Sequence, residues 1–344
     1  MKSLAGFGAE PQAGLGGSPT SSMAAQKRPS DAVLCKKNID ERSVSRMKIS
    51  TQTSKIFQAF GEKEGIRILA QAGYDCIDFS FFHTLDPLNE DSPTRLKAYD
   101  KTARELRAYA ETLGVTFNQA HAPFPSSVGD AEKDATIFDA IVRSMEIASI
   151  LGVKHIIVHP KQHLPYKGNE RMLKEINREF YRALTPYCEK LGIKVAVENM
   201  WQRDPNRRYI VHSTCASPAE MNEYLDGLDP KWFVACIDIG HCALVGEDIG
   251  EMIRTVGPRL HALHVHDVDY INDCHTLPGV QKLDFDAVAR ALADVRYDGE
   301  LTLEADHFFT HFEQDFYPEV ARFMATRARY IAGRVDAYRA ADKR

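Results

Sequence analysis

The sequence has no cysteine pair at CxxC spacing, no apolar run of bilayer length and no excess of basic charge. Each absence excludes something. Seven cysteines, an odd number without metal-type pairing, read as reduced thiols in a cytoplasmic setting. A membrane helix needs about twenty consecutive apolar residues, so no membrane partner is expected. The N-terminus lacks the compact apolar core of a signal peptide, which argues against secretion. A net charge of −5 over 344 residues is the wrong sign for a nucleic-acid surface, and no nucleic-acid partner is expected. No Gly-rich phosphate loop follows the first β-like run, where a doubly wound sheet would often carry one.

What is present is a globular composition, 44% hydrophobic and 26% charged. Residues 1–46 stand apart. "GFGAEPQAGLGGSPTSSMAAQ" is rich in Gly, Ala, Ser and Pro without periodicity, and a charged stretch follows it. They read as a flexible or loosely docked N-terminal extension. From Met47 on, short β-like runs alternate with longer amphipathic stretches. The runs are 47–51, 75–81, 115–121, 155–159, 194–198, 232–238, 260–266 and 300–304. Several of the stretches between them end in a glycine just before the next run, as in "TLGV", "ILGV" and "KLGI", a helix C-cap signal. Eight such units predict an α/β fold, a (β/α)₈ TIM barrel over 47–344.

In a barrel of this kind the chemistry sits at the C-terminal ends of the strands. Those ends carry His121, His159, Glu198, Asp238, His264 and Glu304. Two residues before the last four stand Ala196, Cys236, Ala262 and Thr302, small and inward; one residue before stand Val197, Ile237, Leu263 and Leu303, apolar and outward. Glu198, Asp238, His264 and Glu304 therefore share one layer and predict a divalent-metal site. His266, about 6.5 Å further along its strand, falls to the rim. Three carboxylates and an imidazole suit Mn²⁺ or Mg²⁺ first, with Co²⁺ or Zn²⁺ as alternatives. Trp201 reads as a stacking surface for a sugar ring or as a loop anchor. Arg203, Arg207 and Arg208 read as a phosphate or carboxylate clamp or as a solvated loop. Pro278 and Gly279 predict a turn that swings Asp273 and His275 over the barrel mouth. Phe81, Phe82 and His83 read as the other side of the pocket or as packing.

"VHP" at 158–160, "VEN" at 197–199, "DIGH" at 238–241, "HVHD" at 264–267, "DCHTLPG" at 273–279 and "YDGELTLE" at 297–304 resemble the xylose-isomerase-like barrel superfamily. They are most similar to its sugar and sugar-phosphate isomerases and epimerases. The resemblance implies one ion on Glu198, Asp238, His264 and Glu304, with Glu198 and Glu304 as the catalytic pair moving a proton through an enediolate. It implies substrate contacts from His121, His159, His241, His266, Asp273 and His275, and a small-molecule sugar as the partner of the site. A homo-oligomer fits the resemblance too. A dehydratase or lyase is the alternative, including C-glycoside cleavage with a partner subunit. Endonuclease IV, a three-zinc abasic-site nuclease of the same superfamily, is matched by residue type at His121, His159, Glu198, Asp238, His241, His264, Asp273, His275 and Glu304. The loops "HAPFPSSVGD" and "NMWQRDPNRRY" and the acidic balance point away from that nuclease.

Overall fold

The computed structural model describes residues 46–342; the extension read at 1–46 lies, but for Arg46, outside the described residues. Eight parallel strands form the frame: β1 (Ile49–Thr51), β2 (Cys76–Ser80), β3 (Thr116–His121), β4 (His155–Ile157), β5 (Lys194–Glu198), β8 (Phe233–Asp238), β9 (Leu260–His264) and β10 (Leu301–Leu303). A separate antiparallel hairpin, β6 (Trp201–Arg203) and β7 (Ile210–His212), follows β5. Strands β2-β3-β4-β5-β8-β9 run side by side in chain order, and β1 pairs with β10. Parallel bridges at Gln52–Asp78 and Val265–Leu303 join the two sheets at both seams. The barrel is closed, and a helical segment separates each of its eight strands from the next, after β5 beyond the hairpin.

The strand residues divide as their alternation demands. Ile77, Phe79, Val195, Val197, Ile237, Leu263 and Leu303 belong to the large outer core under the helices. Ala196, Cys236 and Ala262, with Ile157 and Val234, form a second buried cluster inside the barrel. The other half of the interior is polar. Ser50 Oγ donates to Asn118 Oδ1 at 2.7 Å, Asn118 Nδ2 donates to Thr302 Oγ1 at 3.2 Å, and Gln119 Nε2 donates to Asp78 Oδ2 at 3.0 Å. A register shift between β2 and β3 at Ile77/Asp78 lets the adjacent Asn118 and Gln119 both bond to interior partners.

The cap glycines behave as expected: Gly114, Gly152 and Gly192 sit at φ 77°, 85° and 65°, where a side chain would be strained. Two local features depart from plain strand and helix alternation. The stretch from Ser92 forms a single 3₁₀ turn at Pro93–Arg95, then Leu96 is extended, and the helix begins only at Tyr99. The "WQRDPNRRYIVH" segment, which reads as a loop, pairs with itself as β6 and β7. No helix among the described residues is long and apolar enough to cross a membrane.

Candidate active site

Each strand end delivers its side chain to one place. Glu198 closes β5, Asp238 closes β8, His264 closes β9, and Glu304 follows β10. All four are buried, and one ligand atom from each lies within 4.8 Å of the others. His264 Nδ1 is 3.1 Å from Glu198 Oε1 and 3.2 Å from Glu304 Oε2. Three carboxylates this close repel one another. Burial, and then the charges of Glu198 and Asp238, push the Glu304 carboxyl well above its usual range. Burial would raise Glu198 as well, but the imidazoles of His264 and His159 outweigh it and hold that carboxyl well below.

The "DIGH" spacing has a local cause. Asp238 is the N-cap of the short helix Ile239–Leu244 and accepts from the His241 backbone N–H at 2.7 Å. That turn aims the His241 imidazole back over the barrel, where Nδ1 donates to the Asn199 carbonyl at 2.9 Å. The segment after β9 is organised by Asp267, whose carboxylate accepts from the backbone N–H groups of Gly279, Gln281 and Leu283 at 2.8, 2.8 and 3.0 Å. It fixes the loop that carries Asp273 and His275, with Gly279 at φ 91° in the predicted turn. Asp273 Oδ2 lies 3.0 Å from His275 Nε2 and accepts from Trp201 Nε1 at 3.0 Å. His241, His266, Asp273 and His275 make a second group with ligand atoms within 4.8 Å, and His121, His159 and Glu198 a third. Asp78, His121 and His264 make a fourth. Burial disfavours the charged imidazoles, but Asp238 and Asp273 raise His241 to about 10, and Asp273 raises His275 to about 9.

A cavity of about 800 Å³ opens above this floor. His121, His159, Glu198, Trp201, His241, Asp273, His275 and Glu304 all line it. Asp238 and His264 lie beneath it, fully buried. His266 is the departure: it does not reach the rim but is fully buried, with Nε2 2.9 Å and 3.0 Å from the two Asp238 oxygens. Its ring also stacks on His275, centroids 4.2 Å apart, so the loop that carries Asp273 and His275 covers it. Trp201 is both wall and anchor. Of the three arginines only Arg203 lines the cavity, with its guanidinium 5.5 Å from the Trp201 ring; Arg207 and Arg208 are exposed in the turn between β6 and β7. Phe82 and His83 line the pocket, whereas Phe81 is core.

Three residues absent from the sequence reading belong to the site. Gln52 lines the cavity and donates from Nε2 to Glu304 Oε1 at 3.2 Å. Asp78 lies behind His264, its Oδ2 3.8 Å from His264 Nε2. Asn199 brackets the Asp238 backbone, donating to its carbonyl at 2.9 Å and accepting from its N–H at 2.8 Å. Asp78 had a signal: a charged residue at an inward position of an otherwise apolar strand.

The donor set fits a divalent cation. Glu198 Oε2 and Asp273 Oδ1 are buried acceptors with no well-aligned hydrogen bond. Such orphans cost about 1–3 kcal/mol each, and here they concentrate among clustered carboxylates and imidazoles. A cation at the first quartet would relieve both the orphaned oxygen of Glu198 and the mutual repulsion of the carboxylates.

The chain matches the family described as xylose isomerase-like TIM barrel over residues 66–326. It belongs to that family. An uncharacterised protein from Methanocaldococcus jannaschii is 27% identical over 192 residues, 54% of this chain and 62% of that protein. The match to an uncharacterised Sinorhizobium fredii protein covers 50% of its length, so these alignments span about half to three-fifths of the relatives. Fructoselysine 3-epimerase from Escherichia coli O157:H7 is 21% identical over 210 residues, 58% of this chain and 72% of that one. Matches named probable endonuclease 4 (Campylobacter concisus, 25% identity, 48% and 61% coverage) and inosose dehydratase (Clostridium perfringens, 22%, 48% and 62%) accompany it. Among solved structures, apo 3-keto-D-glucoside 4-epimerase from E. coli superposes with a TM-score of 0.62 at 19% identity, covering 82% of this chain and 100% of that one. The IolI protein with a bound zinc atom gives 0.64 at 19%, covering 85% and 99%. At these identities the structures establish the shared fold.

Proposed function

We propose that this protein is a divalent-metal-dependent isomerase or epimerase acting on a sugar or sugar derivative. The observation that carries the reading is the arrangement of the two glutamates. Glu198 and Glu304 both line the cavity, on barrel strands three apart, while Asp238 and His264 complete their quartet from below. Glu198, Asp238, His264 and Glu304 hold the ion, which when bound supplies Lewis acidity toward a substrate carbonyl and so acidifies the neighbouring C–H bond. One glutamate takes that proton from one face of the substrate carbon, and the other returns it from the opposite face. Gln52 keeps Glu304 aimed through its amide N–H. His121, His159, His241, Asp273 and His275 hold substrate hydroxyls along the floor. The same proton abstraction followed by loss of a β-substituent would make the protein a dehydratase or lyase, which product analysis separates.

A second reading, metal-dependent phosphodiester hydrolysis, is favoured by one observation: the floor offers ligand groups beyond the first quartet. Metal analysis by mass spectrometry decides between them. The sugar reading expects about one ion per chain, lost in Asp238→Asn and His264→Ala. About three ions per chain together with cleavage of an abasic-site duplex would select the hydrolase. Unchanged occupancy in both variants would overturn the quartet.

A further inference from the structure

The cavity is larger than one sugar needs. A water-sized group takes about 30 Å³ of liquid volume, so the twelve heavy atoms of a hexose occupy at most about 360 Å³. That is less than half of the roughly 800 Å³ available. The surplus has its own chemistry. The floor is carboxylates and imidazoles, but the wall formed by the loop after β3, the link after β5 and the first residue of β6 presents Phe124, Met200 and Trp201.

Phe124 packs edge-on against His159, ring centroids 4.9 Å apart, yet remains 44% exposed at the cavity. An aromatic ring held in place and left wet at a cavity wall is surface waiting for an apolar partner. Trp201 is fixed on both counts that matter. Its indole N–H is committed to Asp273 and the Arg203 guanidinium sits over its ring, so the ring enters binding with its orientation already set. A lone polyhydroxylated sugar on the floor would leave Phe124 in water.

We propose that the substrate has two parts: the reacting carbonyl-bearing sugar on the polar floor, and an apolar or aromatic substituent, as in an aryl glycoside of a keto sugar, against Phe124, Met200 and Trp201. The inference rests on the sugar reading of the same site. Calorimetric titration of the full-length, Mn²⁺-loaded protein with matched methyl and phenyl β-glycosides of glucose, galactose and xylose, each carrying a ketone at one ring carbon so that the carbonyl the ion requires is present, tests it. The expected result is a phenyl glycoside that binds about tenfold tighter than its methyl counterpart for at least one sugar. In Phe124→Ala that ratio falls to about threefold or less; the side chain is substantially exposed, so its truncation leaves the core intact. A ratio near one for every sugar, absence of binding throughout, or a ratio unaffected by Phe124→Ala overturns the proposal. Failure here is distinguishable from failure of the proton-transfer reading. Isotope exchange into free ketoses without a phenyl preference would remove only the second subsite, and a phenyl preference without exchange would remove only the chemistry.

Discussion

His264 lies between two sets of carboxylates, with its Nε2 3.8 Å from the nearer Asp78 oxygen and not hydrogen-bonded there. Its Nδ1 faces Glu198 and Glu304, and its Nε2 faces the buried carboxylate of Asp78, which Gln119 fixes in place. A ligating imidazole backed by a carboxylate keeps its ring orientation and its basicity, and loss of such a partner weakens metal binding about 10–100-fold. Asp78→Asn is therefore expected to lower the affinity for Mn²⁺ within that range by calorimetry, while the metal-free protein melts within a few degrees of wild type. An unchanged affinity would leave Asp78 a mere member of the interior network. At this scale the sequence is informative where residue type and strand parity coincide. The small residues below the quartet and the apolar ones beside it place Glu198, Asp238 and His264 without structural data. Parity says nothing about the register shift that brings Asn118 and Gln119 both inward, or about the loop whose His275 covers His266.

Among the elements, the turn after β8 is tightly constrained. Asp238 caps it, and Gly240 lies so close to His266 that a Cβ there would run into the imidazole. His266 is fully buried and cannot step aside cheaply. Gly240→Ala should cost about 1–3 kcal/mol of stability through overpacking, and should displace His266 from Asp238. Denaturant unfolding reads the first effect, and a changed histidine NMR signal reads the second. A fully stable variant would show that the turn has room. Element boundaries were legible where a glycine cap or an apolar alternation marks them, as at Gly152 and Gly192. The β6–β7 hairpin was not, because three-residue strands with Asp204, Pro205 and Asn206 between them offer too few alternating positions to outweigh the loop signal.

At the scale of the whole molecule, side chains of the last helix, Tyr317–Ala341, tie down the start of the first strand. Asp75 accepts from the Ile49 N–H at 2.8 Å and pairs with Arg329 at 2.7 Å, while Arg329 also donates to the carbonyls of Met47 and Gly73. Asp336, on the same helix, accepts from the Met47 N–H at 3.0 Å. Burial would raise the Asp75 carboxyl, but Arg329, the Ile49 N–H and Arg46 together hold it below its usual range. A depressed carboxylate stabilises the fold above its unfolded pKa, and that contribution is lost as pH falls through the folded value. Asp75→Asn should thus cost about 1.5–3 kcal/mol at neutral pH. The gap in melting temperature from wild type should hold between about pH 5 and 8 and close below about pH 4. A gap independent of pH would contradict the ion pair. These closing contacts link residues up to 289 apart in sequence. The eightfold alternation of strand and helix announces the barrel; which side chains tie its ends together does not follow from that periodicity.

The central claim is that Glu198 and Glu304 move a substrate proton between two faces of one carbon, and solvent isotope exchange reads that event directly. Metal-replete protein is incubated in D₂O with a panel of ketoses and keto-glycosides, and the sugars are read by NMR or mass spectrometry. The expected result is deuterium at the carbon beside the carbonyl of at least one substrate, abolished in both Glu198→Gln and Glu304→Gln with the fold intact. Exchange that persists in either variant, or cleavage of an abasic-site duplex with no exchange into any sugar, would contradict it.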